Sequence, residues 1–352
     1  CIRDRPLSIG VGAVDPCLIG PGRTHPAGEF TVPRNAPTTF NIAMWDKVLF
    51  HDGRVESFGG TPGANGADGL GIRTPEVAFD EIDPLAGTNL AAAQSRFPTT
   101  SAEEMRGFEF AFNESNQASR EHLAARLEGD GYGAAELDPN FWNAEFEHVY
   151  GQAASPDELI TEQRIAEAIG EYERSQVFVE TPWKAYVQGD QAALGASAKR
   201  GALLFFKPTE EGGANCASCH SGDFFTDEKF HVLAVPQIGR GKGDGLTHTE
   251  DYGRYRETRQ LKDLYAFRTP SLINVTVTGP WGHDGAFATL EGMVRHNLNP
   301  AESIRAFDWT QLDEYVAAEY AVSNTQRALT RLEYNRRNGI VSVENVDLTD
   351  FE

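Results

Sequence analysis

One stretch, Asn215-Cys216-Ala217-Ser218-Cys219-His220, constrains this chain more than any other part of its 352 residues. It reads C-x-x-C-H. Two cysteines separated by two residues can reach the two vinyl groups of one porphyrin and bond to it covalently. The histidine directly after can coordinate the iron through its imidazole. The rival readings are a zinc half-site, a redox dithiol or chance. Zinc wants a second ligand pair, and Cys1 and Cys17 show no paired spacing. A redox dithiol would follow a βαβ pattern, which is absent upstream. The chain is therefore expected to fold around a c-type haem held by Cys216, Cys219 and His220.

Composition narrows the partners. Net charge is −21 and the isoelectric point about 4.8. That argues against nucleic acid or an anionic membrane, since both need a basic face. It suits basic or dipolar redox partners, and it equally suits a secreted protein kept soluble by acidity. Hydrophobic residues make up 40% of the chain, enough for a core, yet no apolar run approaches the roughly twenty residues of a membrane span. Covalent haem is attached outside the cytoplasm, so a periplasmic or extracellular location is expected. Cys1 and Cys17 could pair as a disulfide or be unrelated. No leader is visible, and Thr349-Asp350-Phe351-Glu352 reads as a capping box that should open a helix. Both ends therefore read as trimmed.

Residues 1–100 are rich in glycine and proline, which is loop and turn chemistry. The G-x-G pieces at 59–71 and 239–245 precede no strand–helix unit and read as loops, not phosphate cradles. Helices are expected from about 101, where Ser101-Ala102-Glu103-Glu104 forms a capping box, and over 116–128. Another is expected over 156–176, where Ser155 caps, Pro156 takes the first position and Ile165, Ile169 and Tyr172 share a face. Further helices are expected at 192–206, 289–298, 310–321 and 324–337, with a long loop over 221–275. The class is mostly α with long loops, divided near 178 into domains 1–178 and 179–352.

Around the haem motif the chain resembles the bacterial di-haem cytochrome c peroxidases and the related MauG-like proteins. The matching blocks include Lys199-Arg200-Gly201, Ser221-Gly222-Asp223-Phe224-Phe225, Phe267-Arg268-Thr269-Pro270-Ser271-Leu272 and Trp281-Gly282-His283-Asp284-Gly285. Upstream come Arg34-Asn35-Ala36-Pro37-Thr38-Thr39-Phe40-Asn41, Phe50-His51-Asp52-Gly53-Arg54 and Ser101-Ala102-Glu103-Glu104-Met105-Arg106. The blocks stand in family order over about 1–300.

The resemblance implies two cytochrome-c-like domains, each with a haem, and a calcium between them. Asn41, Thr278 and Pro280 match the calcium contacts, a set of oxygens suited to a hard cation. Glu104 matches the active-site acid, and peroxide cleavage needs a group that shuttles a proton between the two oxygens. Glu104 is also the third residue of the Ser101 capping box, which is a purely structural role. Arg268 is expected beside a haem propionate or between the haems, with a surface ion pair as its structural alternative. His283 is expected as a hydrogen-bonder near the C-terminal haem.

Four departures follow from the same resemblance. The N-terminal C-x-x-C-H would fall near or before residue 1, so it is either trimmed away or lost, and the retained scaffold favours trimming. Val32-Pro33-Arg34 stands where a displaceable histidine is common, which would leave the N-terminal iron open. His51 replaces a tryptophan that bridges the haems, with Trp45 near in sequence. The distal ligand of the C-terminal haem falls on Asn297, a poor iron ligand. Met293 lies one helical turn away and His296 about 100° round the helix.

The expected function is extracytoplasmic haem oxidoreduction driven by hydrogen peroxide, with electrons passing through the C-terminal haem. The donor would be a small cytochrome or copper protein. Alternatively a protein substrate is oxidised, as in MauG-like members. The resemblance leaves a homodimer open. The rival readings are a single-haem electron-transfer or structural cytochrome, and a gas sensor with an open C-terminal haem.

Overall fold

The computed structural model describes residues 32–108, 114–129, 139–312 and 321–340, with 343 and 346. The expectations for Cys1, Cys17, residues 6–12, the end of the 310–321 helix and the capping box at 349–352 lie outside these.

The described chain is helix-rich with little sheet. Strands β1 (Val48–Leu49), β2 (Val55–Ser57) and β3 (Ile72–Arg73) form a small antiparallel sheet, with Glu56 opposite both Val48 and Arg73. Helix α1 (Leu90–Ser95) begins where the Asn89 side chain accepts from the Ala92 amide. Residues 102–106 form a single π-helical turn, not the start of an α-helix. Ser101 caps nothing there, because its hydroxyl donates to Glu103 at 3.0 Å.

Helices α2 (Asn116–Glu128), α3 (Pro139–Tyr150), α4 (Pro156–Leu159) and α5 (Glu162–Arg174) follow. The helix expected over 156–176 is thus two. Ile160 leaves helical geometry to enter a small core with Phe146 and Leu159, and Thr161 recaps the chain by accepting from the Arg164 amide. The buried positions of α5 are Glu162, Ala166 and Gly170, while Ile169 and Tyr172 are exposed. Close packing on the alanine face of α1 explains the small residues at 166 and 170: a Cβ on Gly170 would sit 2.6 Å from the Ala92 nitrogen.

Helices α6 (Pro182–Val187) and α7 (Ala196–Phe206) lead to the haem motif. Then come β4 (Phe230–His231), α8 (Tyr255–Thr258), β5 (Phe267–Arg268), α9 (Leu290–Leu298), α10 (Pro300–Arg305) and α11 (Ala321–Arg337). Strands β4 and β5 pair antiparallel, Phe230 opposite Arg268 and His231 opposite Phe267. The first half closes on a core of Ile42, Trp45, Leu49, Phe50, Leu90 and Phe97. The second half has two cores, one around Val232, Tyr265 and Leu332, the other around Val235, Phe287 and Phe307.

The halves are tied together by backbone and charge. Arg268 donates its amide to the His51 carbonyl at 2.8 Å, and Asn35 donates to the His283 carbonyl at 2.9 Å. Arg34 is buried between Asp52 and Asp251, with Nη1 2.6 Å from Asp52 and Nε 2.6 Å from Asp251. This pairing offsets burial of the guanidinium and holds both carboxyls ionised, far below the usual range. No helix among the described residues is long and apolar enough to cross a membrane.

Candidate haem site

Helix α7 ends at Phe206, and the chain folds back on it. The Ala214 amide donates to Leu204 at 2.7 Å and the Asn215 amide to Lys207 at 2.9 Å. Asn215 takes a left-handed conformation, which asparagine tolerates. A 3₁₀ turn over Cys216–Ser218 then puts both thiols and the imidazole on one wall of a cavity of about 590 Å³. His220 Nδ1 lies 2.9 Å from the Phe225 carbonyl. That bond makes Nδ1 the donor and leaves Nε2 as the ring's electron pair. Burial lowers the His220 pKa and so keeps that pair available.

Helix α9 supplies another part of the wall. Met293 and Asn297, four residues apart, both line the cavity. The Asn297 amide also donates to the Met293 carbonyl at 2.9 Å. His296 does not line it. It is fully buried on the other side of the helix, with Nε2 2.9 Å from the Leu233 carbonyl and Nδ1 3.2 Å from Ser303. As a distal-ligand candidate it is corrected: both ring nitrogens hold partners away from the cavity.

Residues of both halves complete the lining, among them Trp45, His51, Arg268 and His283. Arg268 is buried, with no carboxylate of the described residues within ion-pair reach. Its Nε donates to the Phe50 carbonyl at 3.1 Å and its guanidinium lies 4.1 Å over the Trp45 ring. Burial pulls its pKa down to about 10, against the opposing pull of the Glu228 carboxylate. Trp45 Nε1 and His283 Nε2 are buried and find no partner among the described residues. The His283 ring stacks on Phe267 at 3.6 Å, and burial holds it neutral, its pKa near 3. His51 Nε2 meets the Asn35 carbonyl at 2.9 Å, and burial pushes its pKa to about 4.

These residues fit a covalent haem. A cavity of this size takes a large flat ligand. Its walls offer two thiols and the His220 imidazole, and, separately, three polar groups not matched by a charge or partner among the described residues: the Arg268 guanidinium, Trp45 Nε1 and His283 Nε2. The last three suit the two carboxylates that a haem carries.

The remaining sequence candidates sit as follows. Glu104 is half-buried in the π-turn and does not line this cavity. Thr278 and Pro280 line it, whereas Asn41 does not. The Asn41 side-chain oxygen accepts from the Phe178 amide at 2.6 Å, and the Pro280 carbonyl accepts from Asn35 at 2.8 Å.

Sequence reasoning missed His231. Its Nε2 lies 2.9 Å from Asp227, and with Cys219 the two form the one His/Cys/Asp/Glu cluster of metal-binding geometry among the described residues. The D-x-x-x-H spacing was the available signal. A haem thioether at Cys219 would take that sulfur out of any such metal set.

Fold and site together define a c-type haem protein whose cavity is built by both halves of the chain. The sequence profile of the di-haem cytochrome c peroxidase family matches residues 6–192, and the chain belongs to that family. It is 31% identical over 293 residues to the methylamine utilization protein MauG of Methylorubrum extorquens, covering 77% of this chain and 72% of that protein. To the MauG of Methylophilus methylotrophus it is 28% identical, covering 80% and 82%. To the cytochrome c551 peroxidase of Pseudomonas aeruginosa it is 24% identical, covering 82% and 63%. The fold matches a solved MauG-like protein associated with microbial copper homeostasis, with a TM-score of 0.50 and 21% identity over 85% of this chain and 74% of that one.

Proposed function

We infer that the protein is a periplasmic or extracellular haem c oxidoreductase that consumes hydrogen peroxide, built as two cytochrome-c-like domains, 1–178 and 179–352. One observation carries the reading. A single cavity is lined by Cys216, Cys219 and His220, by Met293 and Asn297, and by Arg268 and the unpaired Trp45 and His283 nitrogens. A haem held there supplies a one-electron carrier.

The chain's own residues do the rest. With haem bound, Cys216 and Cys219 would anchor it and His220 Nε2 would donate to its iron, the imidazole being oriented through the Phe225 carbonyl. Arg268, Trp45 and His283 bind the carboxylate edge. Met293 and Asn297 line the same cavity and would be the candidates for a second iron ligand. Asn297 is a weak donor, and Met293 also packs against the core of Val235 and Phe287. Trp45, in contact with Arg268, is the aromatic that takes the bridging place that His51 lacks.

Glu104 is assigned as the acid/base at a second haem in the N-terminal domain. If a second haem is held there, the Glu104 carboxylate would be the group that accepts a proton from one peroxide oxygen and returns it to the other. A calcium ion at Asn41, Thr278 and Pro280 requires the Asn41 and Pro280 oxygens to exchange their present donors for the ion. The electron donor is a small cytochrome or copper protein. The extended similarity to MauG supports a protein substrate as the other outlet.

A pyridine haemochrome assay with intact mass on the full chain tests this. Two haems per chain, with peroxide turnover by a reduced cytochrome, is the expected result. One haem and no turnover would establish the second reading, a single-haem electron-transfer cytochrome, which the one C-x-x-C-H of this sequence favours.

A further inference from the structure

We propose that Tyr265, Tyr252 and Tyr255 form a redox relay carrying oxidising equivalents from the haem cavity toward the protein surface. The proposal rests on the peroxide-consuming reading above.

Tyr265 is 8% exposed and forms part of the cavity wall beside Ala234, Leu298 and Ala328. Its ring centroid is 5.7 Å from that of Tyr252, and Tyr252 is 5.7 Å from Tyr255. Both contacts are edge-to-face. Tyr252 and Tyr255 are only half-buried, and the Arg259 guanidinium lies 6.0 Å over the outer ring. The rings therefore step outward from the cavity with no intervening side chain. Electron transfer weakens steeply with gap, so rings in contact are a far better path than the surrounding aliphatic core.

A phenol oxidised by one electron becomes a strong acid and must lose its proton, so a relay tyrosine needs a base at its hydroxyl. The Tyr265 hydroxyl donates to the Glu250 carboxylate, which is 1% exposed and receives Arg327 on its other oxygen. Burial and Glu250 hold the Tyr265 phenol protonated at rest. The proton then has a one-bond path, Tyr265 to Glu250, and returns when the ring is refilled.

The step balances. Hydrogen peroxide takes two electrons and two protons to give two waters. Each electron supplied by this route leaves Tyr265 while its proton shifts to Glu250. Tyr252 and then Tyr255 refill the hole inward while the proton on Glu250 returns to Tyr265; half-buried Tyr252 exchanges its proton with water in passing and Tyr255 releases its own to water, so the net change is one phenol O–H oxidised at Tyr255. That radical is quenched by an external donor or, without one, couples with a second to dityrosine.

The haem-loaded full chain treated with hydrogen peroxide and no donor provides the test, read by peptide mapping and normalised to peroxide consumed. The expected result is dityrosine or oxygen addition at Tyr255. Tyr265→Phe, which removes only the hydroxyl, should lose those products. Tyr252→Phe should lose them at Tyr255 with haem content and peroxide consumption retained. Equal Tyr255 oxidation in both variants would mean attack from solvent and overturn the relay. Products confined to other residues would overturn it as well. A fully haem-loaded protein that consumes no peroxide would instead defeat the functional reading, and the relay would fall with its oxidant.

Discussion

His296 shows how one step around a helix decides what a side chain can do. Its sequence neighbours Met293 and Asn297 face the cavity, while His296 turns into the core and is bound at both nitrogens. Burial pulls its pKa from 6.5 to about 4, against the small upward pull of the Leu233 carbonyl. The folded state therefore keeps His296 neutral while the unfolded chain protonates below 6.5. Between these values the unfolded state binds more protons, so stability falls as pH drops. At pH 5 this one group costs about 2 kcal/mol relative to neutral pH. Asp284, whose pKa burial raises to about 7, acts in the opposite sense over the same range. Comparison with His296→Gln isolates the histidine. Thermal melts at pH 7 and pH 5 should show a smaller loss in the variant than in the wild type, although the variant is less stable at pH 7. Equal losses would refute the assignment.

Packing of α5 on α1 illustrates what an element hides from its own sequence. Ile165, Ile169 and Tyr172 do share a face, yet the buried stripe is Glu162, Ala166 and Gly170: the alanines of α1 accept only small residues at 166 and 170, and Glu162 is buried against the Arg96 guanidinium. Gly170→Ala places its Cβ 2.6 Å from the Ala92 nitrogen and 2.7 Å from its Cα. Backbone cannot give way there, so the variant should lose about 1–3 kcal/mol despite alanine's better helix propensity. An unchanged urea midpoint would show that the helices can separate freely. The haem motif carried its own local signal, C-x-x-C-H, and helices were expected where α2 and α9 lie; the structure shows each opening on a side-chain cap, Ser115 and Thr289. The strands were not legible in the sequence, since two or three residues are too few for alternation to show. Nor was the Arg34–Asp251 pair, whose partners lie 217 residues apart. Arg34→Met leaves Asp251 buried without its ion-pair partner and Asp52 with only the longer contact to Arg54 at 3.5 Å. It should cost about 3–5 kcal/mol by denaturant titration, with Arg34→Lys intermediate because it loses the two-pronged contact.

At the scale of the whole molecule, the cavity belongs to neither half. Trp45 and His51 come from the first half, Cys216 to His220 and Arg268 from the second, so relative placement of the halves sets the environment of the haem. Family blocks in the sequence pointed to both contributors, but which side chains stay unpaired at their junction required coordinates. The molecule meets its partners with a net charge of −21. A field of that size attracts a basic donor protein over roughly 30 Å at 0.01 M salt and over only about 10 Å at 0.1 M. Steering of this kind raises association rates by about 10- to 1,000-fold. With a small basic cytochrome as donor, kcat/KM for peroxide-dependent oxidation should therefore fall about tenfold or more between 0.01 and 0.3 M salt, with kcat little changed. An acidic donor of similar potential should gain from the same salt, because screening removes repulsion. Matching salt responses from the two donors would mean that association is governed by a local patch, and the acidity of the chain would then serve solubility alone.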